Sequence, residues 1–215
     1  MLGWHWLRED RHTRFEPRQL VKPDSILTVE SPLKMCYHGL HASKLAIDSL
    51  KYAPGPIVCR VKLFGEIIED HDKVCATGRT CLWMANASEV LHEFACWCAE
   101  RLLNAWNIKD PHCWMAIETK RRWLRGEAAN EELDAVYGTV NAMAENVANS
   151  TTTYLACSIS RAAANNFAWP AASRAAEILL NRHEKIARND YLERELLKLE
   201  GYEDTMGVSP EALEG

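Results

Sequence analysis

The sequence predicts an α+β protein with a compact β-rich N-terminal module containing one short helix, followed by a helical C-terminal half. Three observations carry this. The best strand, Ile57-Val58-Cys59-Arg60-Val61-Lys62-Leu63-Phe64, is rich in β-branched residues and alternates Arg60 and Lys62 with apolar neighbours. Beyond residue 85 the apolar period becomes helical, with Val90, Leu91, Phe94, Cys98, Leu102 and Trp106 recurring at helix spacing. The stretch before Ile57 is broken by Pro17, Pro23, Pro32 and the Pro54-Gly55-Pro56 stop, which suits short strands and turns.

In order along the chain, Ile26 to Val29 reads as a short strand. A turn at Ser31-Pro32 leads to Leu33–Tyr37 and Gly39. Ser43 is the expected N-cap of a helix over residues 44–53, and Gly65 is the expected bulge between Phe64 and Glu66-Ile67-Ile68-Glu69. A polar turn at Asp70–Lys73 precedes a last strand around Arg79 to Trp83. Asn86 and Glu89 have capping-box spacing for the first long helix. Asp110-Pro111 opens a second helix that Gly126 ends. Residues 127–166 read as one or two alanine-rich helices, and Trp169-Pro170 as a break. Residues 171–200 read as one long helix with Ile178, Leu179, Ile186, Leu192, Leu196 and Leu199 apolar, and Glu193, Arg194, Glu195 and Lys198 on a solvated face. The expected divisions are a β-rich module over 1–85, a helical region over 86–200 and a flexible tail over 201–215.

A chain of 215 residues supports a substantial core. The eight tryptophans are spread along it, which points to packing in the core and between its parts. A net charge of −5 argues against general nucleic-acid binding, and the basic knot of Lys120, Arg121, Arg122 and Arg125 reads as a solvated helix face. No apolar run is long enough for a membrane span and no leader is expected. The eight cysteines therefore read as free, mostly buried thiols of a protein in a reducing cytoplasm.

The densest reactive cluster is Cys36-Tyr37-His38-Gly39-Leu40-His41. Cys36, His38 and His41 offer three candidate zinc ligands, with Cys59, Cys75 or Cys81 as a fourth from elsewhere in the fold. The competing reading is a packed cysteine beside two turn histidines. His92-Glu93 with Cys96 has the helical spacing of a zinc motif, but a cysteine stands at the second histidine's place, so it reads as coincidence. The fingerprints Gly-x-Ser-x-Gly, Gly-x-x-x-x-Gly-Lys-Ser/Thr and Gly-x-Gly-x-x-Gly are absent, which removes the usual support for hydrolase, kinase and dinucleotide readings.

Met35–Ser43, Tyr52-Ala53-Pro54-Gly55, Cys59-Arg60-Val61, Gly65, Asp72-Lys73 and Arg79–Trp83, with the alanine-rich segment from Arg161 to Arg174, resemble a group of uncharacterised bacteriophage and prophage-associated bacterial proteins. That resemblance implies a phage or mobile-element accessory protein and supplies no activity. Together with the lack of a complete catalytic constellation and the acidic charge, it leads to the expectation of a cofactor-free protein in the host cytoplasm that binds a host or phage protein and modulates host physiology or defence. Residues 39–44, Tyr52, the strand Val58–Leu63 and Gly65 are more loosely similar to part of the ADP-ribosyltransferase fold. This second resemblance implies an NAD-derivative pocket lined by His38, Gly39, His41, Ser43 and Tyr52. In it Tyr52 stacks on nicotinamide, His41 takes the aromatic position and His5 stands for a ribose-binding histidine. The family's catalytic glutamate belongs on a late strand, and Glu66 and Glu69 come too early for it.

Three readings stay open: a protein-binding accessory protein, an NAD-binding or ADP-ribosyltransferase-like protein, and a zinc-stapled module. The residue 171–200 helix offers a surface for a homodimer, but its apolar positions keep no sustained heptad, so burial against its own chain is the expectation.

Overall fold

The computed structural model describes residues 1–15, 17–146, 151–178 and 182–201, and it is α+β. An antiparallel sheet is built from β1 (Leu2–Leu7), β2 (Ile26–Thr28), β3 (Leu40–Ala42), β4 (Ile57–Glu69) and β5 (Val74–Asn86). Its order is β1-β4-β5-β2, with β3 also on β5. The long β4–β5 hairpin is the spine, turning at residues 70–73 as its polar composition requires. Its register slips between Phe64 and Ile67, at Gly65, whose φ of 78° is open to glycine at little cost. Trp4 and Ser43 exchange backbone hydrogen bonds of 2.8 and 3.0 Å. The end of β3 is thereby tied to β1, so the sheet curls on itself.

Between β3 and β4 lies the short helix α1 (Ala46–Leu50). The helical half comprises α2 (Ser88–Ala105), α3 (Pro111–Leu124), α4 (Asn130–Asn146), α5 (Thr151–Ala164), α6 (Ala168–Glu177) and α7 (Arg182–Leu197). One apolar core crosses the change of architecture near residue 85. Trp4, Trp6, Ile47, Leu50 and Val58 from the β-rich half are buried in the same cluster as Phe94, Cys98, Leu103, Ile159, Ala172 and Leu192. Trp83, Trp97, Trp106 and Trp114 pack half-buried against it. A second cluster, including Leu7, Cys59, Val61, Leu63, Val74 and Cys81, fills the sheet itself. Helix α7 reaches back to the β-rich half: Asn189 accepts from the Ile47 N–H at 3.2 Å, Glu193 accepts from Trp4 Nε1 at 3.0 Å, and Lys185 pairs with Asp48 at 2.6 Å.

Several local expectations are corrected. Ser43 does not cap α1; its backbone is taken by Trp4, and Leu45 stands at the cap without a side-chain bond. Asn86 accepts from the N–H and hydroxyl of Ser88, so the entry to α2 is held one residue before the helix cap, Ala87. Trp169-Pro170 begins a helix instead of breaking one. Pro170 is the third residue of α6, in the first turn, where its missing N–H has no helical partner to lose. The single long helix is two. Arg188, buried, donates to the carbonyls of Ala175 and Ile178 at 2.6 and 2.8 Å and closes the end of α6, while Ile186 is exposed. Leu179 and the tail from residue 202 lie outside the described residues.

The basic knot is not a uniform solvated face. Lys120 is fully buried, donating to Asn165 O at 2.8 Å with its ammonium 3.9 Å from the Trp123 ring centroid. Arg121 clasps Glu93 and Glu100 of α2. On the same α2 face, His92 and Cys96 are both buried, and His92 packs edge-on to Trp123 at 5.5 Å. Asp110 caps α3 as expected, accepting from His112 N at 2.9 Å, and Gly126 follows at φ 73°.

Candidate functional site

A cavity of about 520 Å³ opens in the β-rich half, a size that suits a small molecule. Its wall is assembled from distant stretches of chain. β1 supplies His5, the loop after it Arg8, Arg14 and Phe15, and the segment into β3 supplies Cys36, His38, Gly39 and His41. Ser43, Ser49 and Tyr52 come from the α1 region, Lys73 from the hairpin turn and Arg79 from β5. All the residues that sequence reasoning assigned to a pocket, His5, His38, Gly39, His41, Ser43 and Tyr52, therefore line one cavity. Alternation along β1 turns Trp4 and Trp6 toward the helical core and His5 the other way.

Each wall residue is held by identifiable contacts. Gly39 sits at φ 133°, and a Cβ there would lie 2.1 Å from Cys75 Sγ and 2.9 Å from Leu33 Cδ2. Only glycine fits that space. This close approach brings His41 into the wall. The Cys36 N–H donates to His41 Nε2 at 3.0 Å, which makes that nitrogen an acceptor and the ring neutral with its proton on Nδ1. Burial pulls the His41 pKa down, against a hydrogen bond with the Gly39 backbone that raises it; the charges of Arg79 and Lys73 lower it further. His5 is pulled well below its ordinary value, first by burial and then by the Arg79 charge. Both imidazoles are neutral at pH 7.

Tyr52 donates to Asp72 Oδ1 at 2.9 Å, and Lys51 pairs with the other carboxylate oxygen at 2.9 Å. The Lys73 ammonium lies 5.1 Å from the Tyr52 ring centroid. Its pKa is raised, first by a hydrogen bond with the Cys36 thiol. Ser49 accepts from Trp6 Nε1 at 2.7 Å, a buried bond that ties the floor of the cavity to α1.

Arg79 is the residue that pattern reading left without a role. It is only 6% exposed, and its Nη1 donates to His41 O at 2.7 Å. Burial draws its pKa below the usual value, and the groups nearest its charge are the thiols of Cys59, Cys81 and Cys75, whose effect runs the other way. Among the described residues it has no carboxylate partner. The available signal was an arginine on the inward phase of a strand, between Cys75 and Cys81, where an apolar residue is the norm.

The three zinc candidates fall in one turn, but their ring nitrogens are engaged. His38 Nε2 meets Glu30 O at 2.7 Å and His41 Nε2 takes the Cys36 N–H. Among the described residues no group of three or more His, Cys, Asp or Glu side chains is placed to hold a metal. All eight cysteines are free thiols, seven buried and Cys36 exposed. Glu66 and Glu69 lie away from the cavity wall, Glu66 accepting from Ser31 and Glu69 pairing with Lys44. No helix among the described residues is long and apolar enough to cross a membrane. Searches against protein-family models, curated proteins and solved structures found no match to this chain.

Proposed function

We propose that this chain binds an NAD-derived or closely related nucleotide ligand and acts as a phage or prophage accessory protein through that ligand. The observation that carries the reading is the convergence of His5, His41 and Tyr52 on one cavity of about 520 Å³ from three separate elements. An aromatic wall with its hydroxyl tied back to Asp72 gives a planar ring a fixed surface to stack on. His41, whose ring nitrogens are taken by the Cys36 N–H and the Gly39 backbone, gives the wall a flat uncharged ring, and the neutral His5 imidazole offers a hydrogen-bonding group to a ribose-type hydroxyl.

The reading is for binding rather than group transfer. Breaking a nicotinamide–ribose bond builds positive charge on the sugar, which a carboxylate must face. The last strand, β5, carries no Asp or Glu, and no carboxylate is among the described lining residues. The test is calorimetric titration of the purified chain with NAD and with ADP-ribose. Binding should be lost in the His41→Ala/Tyr52→Ala double variant; equal affinity in the variant refutes the reading.

A second reading, a direct protein partner from host or phage, draws support from Phe15, Ile26 and Tyr37, which are 75%, 65% and 81% exposed; Phe15 and Tyr37 stand at the cavity itself. Capture from host lysate of one stoichiometric partner by the wild type, but not by Phe15→Ser/Tyr37→Ser, would favour it. Equal capture by both proteins would sink it.

A further inference from the structure

The cavity is electrostatically lopsided. The whole chain carries a net charge of −5, yet the cavity wall brings together Arg8, Arg14, Lys73 and Arg79 with no described carboxylate among them. Arg8 and Arg14 are exposed and Lys73 half-buried, so water screens their charges. Arg79 is different, because it is nine-tenths buried and still faces no acid among the described residues. A buried charge without a partner is costly, several kcal/mol in order of magnitude, and folds keep such a group when something else neutralises it.

The local structure holds Arg79 ready for such a partner. Its Nη1 is fixed by the His41 carbonyl, and His41 is itself fixed by the Cys36 N–H and by its bond with the Gly39 backbone. No nitrogen of Arg79 is among the buried side-chain atoms lacking a hydrogen-bond partner. Arg79 is itself part of the cavity wall, and the bond to His41 O occupies only Nη1, so its remaining donors are placed to meet a ligand there. A guanidinium clamped at one corner, with its other donors at a pocket wall, is suited to take two oxygens of one tetrahedral anion.

We infer that the inner end of this cavity is an anion subsite with Arg79 as its central donor, and that the ligand it accepts is a phosphate ester of nucleotide size. Lys73, beside the Cys36 thiol and the Tyr52 ring, lines the same cavity. The phosphate sits on Arg79 and the rest of the ligand extends toward Tyr52. Lys73, Arg8 and Arg14 draw the anion in and make its binding salt-sensitive. The inference rests on the cavity being a ligand site, and it adds which part of the ligand is recognised and by which residue.

The experiment is calorimetric titration of the full chain with AMP, adenosine and inorganic pyrophosphate, on the wild type and on Arg79→Gln. The wild type should bind AMP at least tenfold more tightly than adenosine, and in Arg79→Gln the ratio of the two affinities should fall to near one. AMP and adenosine binding equally to the wild type would overturn the subsite and leave the cavity reading standing. An AMP advantage surviving intact in Arg79→Gln would overturn the role of Arg79. Pyrophosphate binding that depends on Arg79, without binding of NAD or ADP-ribose, would support the subsite and refute the NAD-derivative reading. Should Arg79→Gln fail to fold, Arg79→Lys keeps the charge and loses the fork. It should bind AMP more weakly than the wild type, and wild-type affinity there would overturn the bidentate geometry.

Discussion

His92 should make the protein sensitive to mild acid, and replacing it with phenylalanine should both stabilise the fold and remove that sensitivity. The ring is 5% exposed, its Nδ1 is buried without a hydrogen-bond partner, and burial followed by the Lys120 charge lowers its pKa to about 3. Unfolded, the same imidazole titrates near 6.5. The folded value lies below the unfolded one, so the contribution of His92 is fully present above pH 6.5. It is lost progressively as pH falls from there toward 3, because only the unfolded chain takes the proton. Between pH 7 and pH 5 that loss amounts to about 2 kcal/mol.

His92→Phe keeps a planar ring against Trp123, which stands edge-on at 5.5 Å, and removes the orphaned nitrogen. It should gain on the order of 1 kcal/mol at pH 7, since an unpaired buried polar atom costs about 1–3 kcal/mol. The assay is urea denaturation of wild type and variant at pH 7, 6 and 5. His5, whose pKa is also lowered, and the carboxylates act equally in both proteins, so the difference curve isolates His92. A difference that stays flat across that range would refute the reasoning.

Other substitutions probe the same framework. Gly39→Ala should cost more than about 2 kcal/mol by thermal or chemical denaturation, because φ is 133° and the new Cβ would strike Cys75 Sγ; a loss under half that would show that the turn can relax. Lys120→Met should be neutral or stabilising at pH 7, by up to about 3 kcal/mol, since burial lowers the ammonium pKa to about 8 and no carboxylate is paired with it among the described residues. A destabilisation above 1 kcal/mol would instead mean that the bond to Asn165 O and the Trp123 ring outweigh desolvation. Ser49→Ala leaves Trp6 Nε1 buried and unpaired and should cost about 1–3 kcal/mol in melting experiments; an unchanged stability would indicate that water replaces the hydroxyl.

How much of this was legible beforehand differs from element to element. The β4 strand, the Gly65 bulge, the Asp110-Pro111 start of α3 and the α+β division were readable because each rests on local signals: alternation, glycine's conformational range, a cap and a proline; β5 was readable only in its middle, since it starts at Val74, five residues before the expected strand. Ser43 was misassigned because its side chain suits a cap while its backbone is claimed by Trp4, thirty-nine positions away in sequence. The proposed long helix failed for a similar reason. Its amphipathic pattern continues through residues 171–200, but the stop comes from Arg188 folding back onto the last carbonyls of α6.

The cavity shows the same division. The residue types near His41 were legible from the chain order, and the resemblance grouped His5, His38, Gly39, His41, Ser43 and Tyr52. Only the folded chain shows that Lys120 is buried instead of solvated, and that Arg79 lines the cavity beside thiols with no acid among the described residues. The physical reason is that local propensity and periodicity act over a few residues. Burial of a charge depends on what distant strands bring to its other side, and here the His41 carbonyl of β3 and the thiols of β4 and β5 surround Arg79.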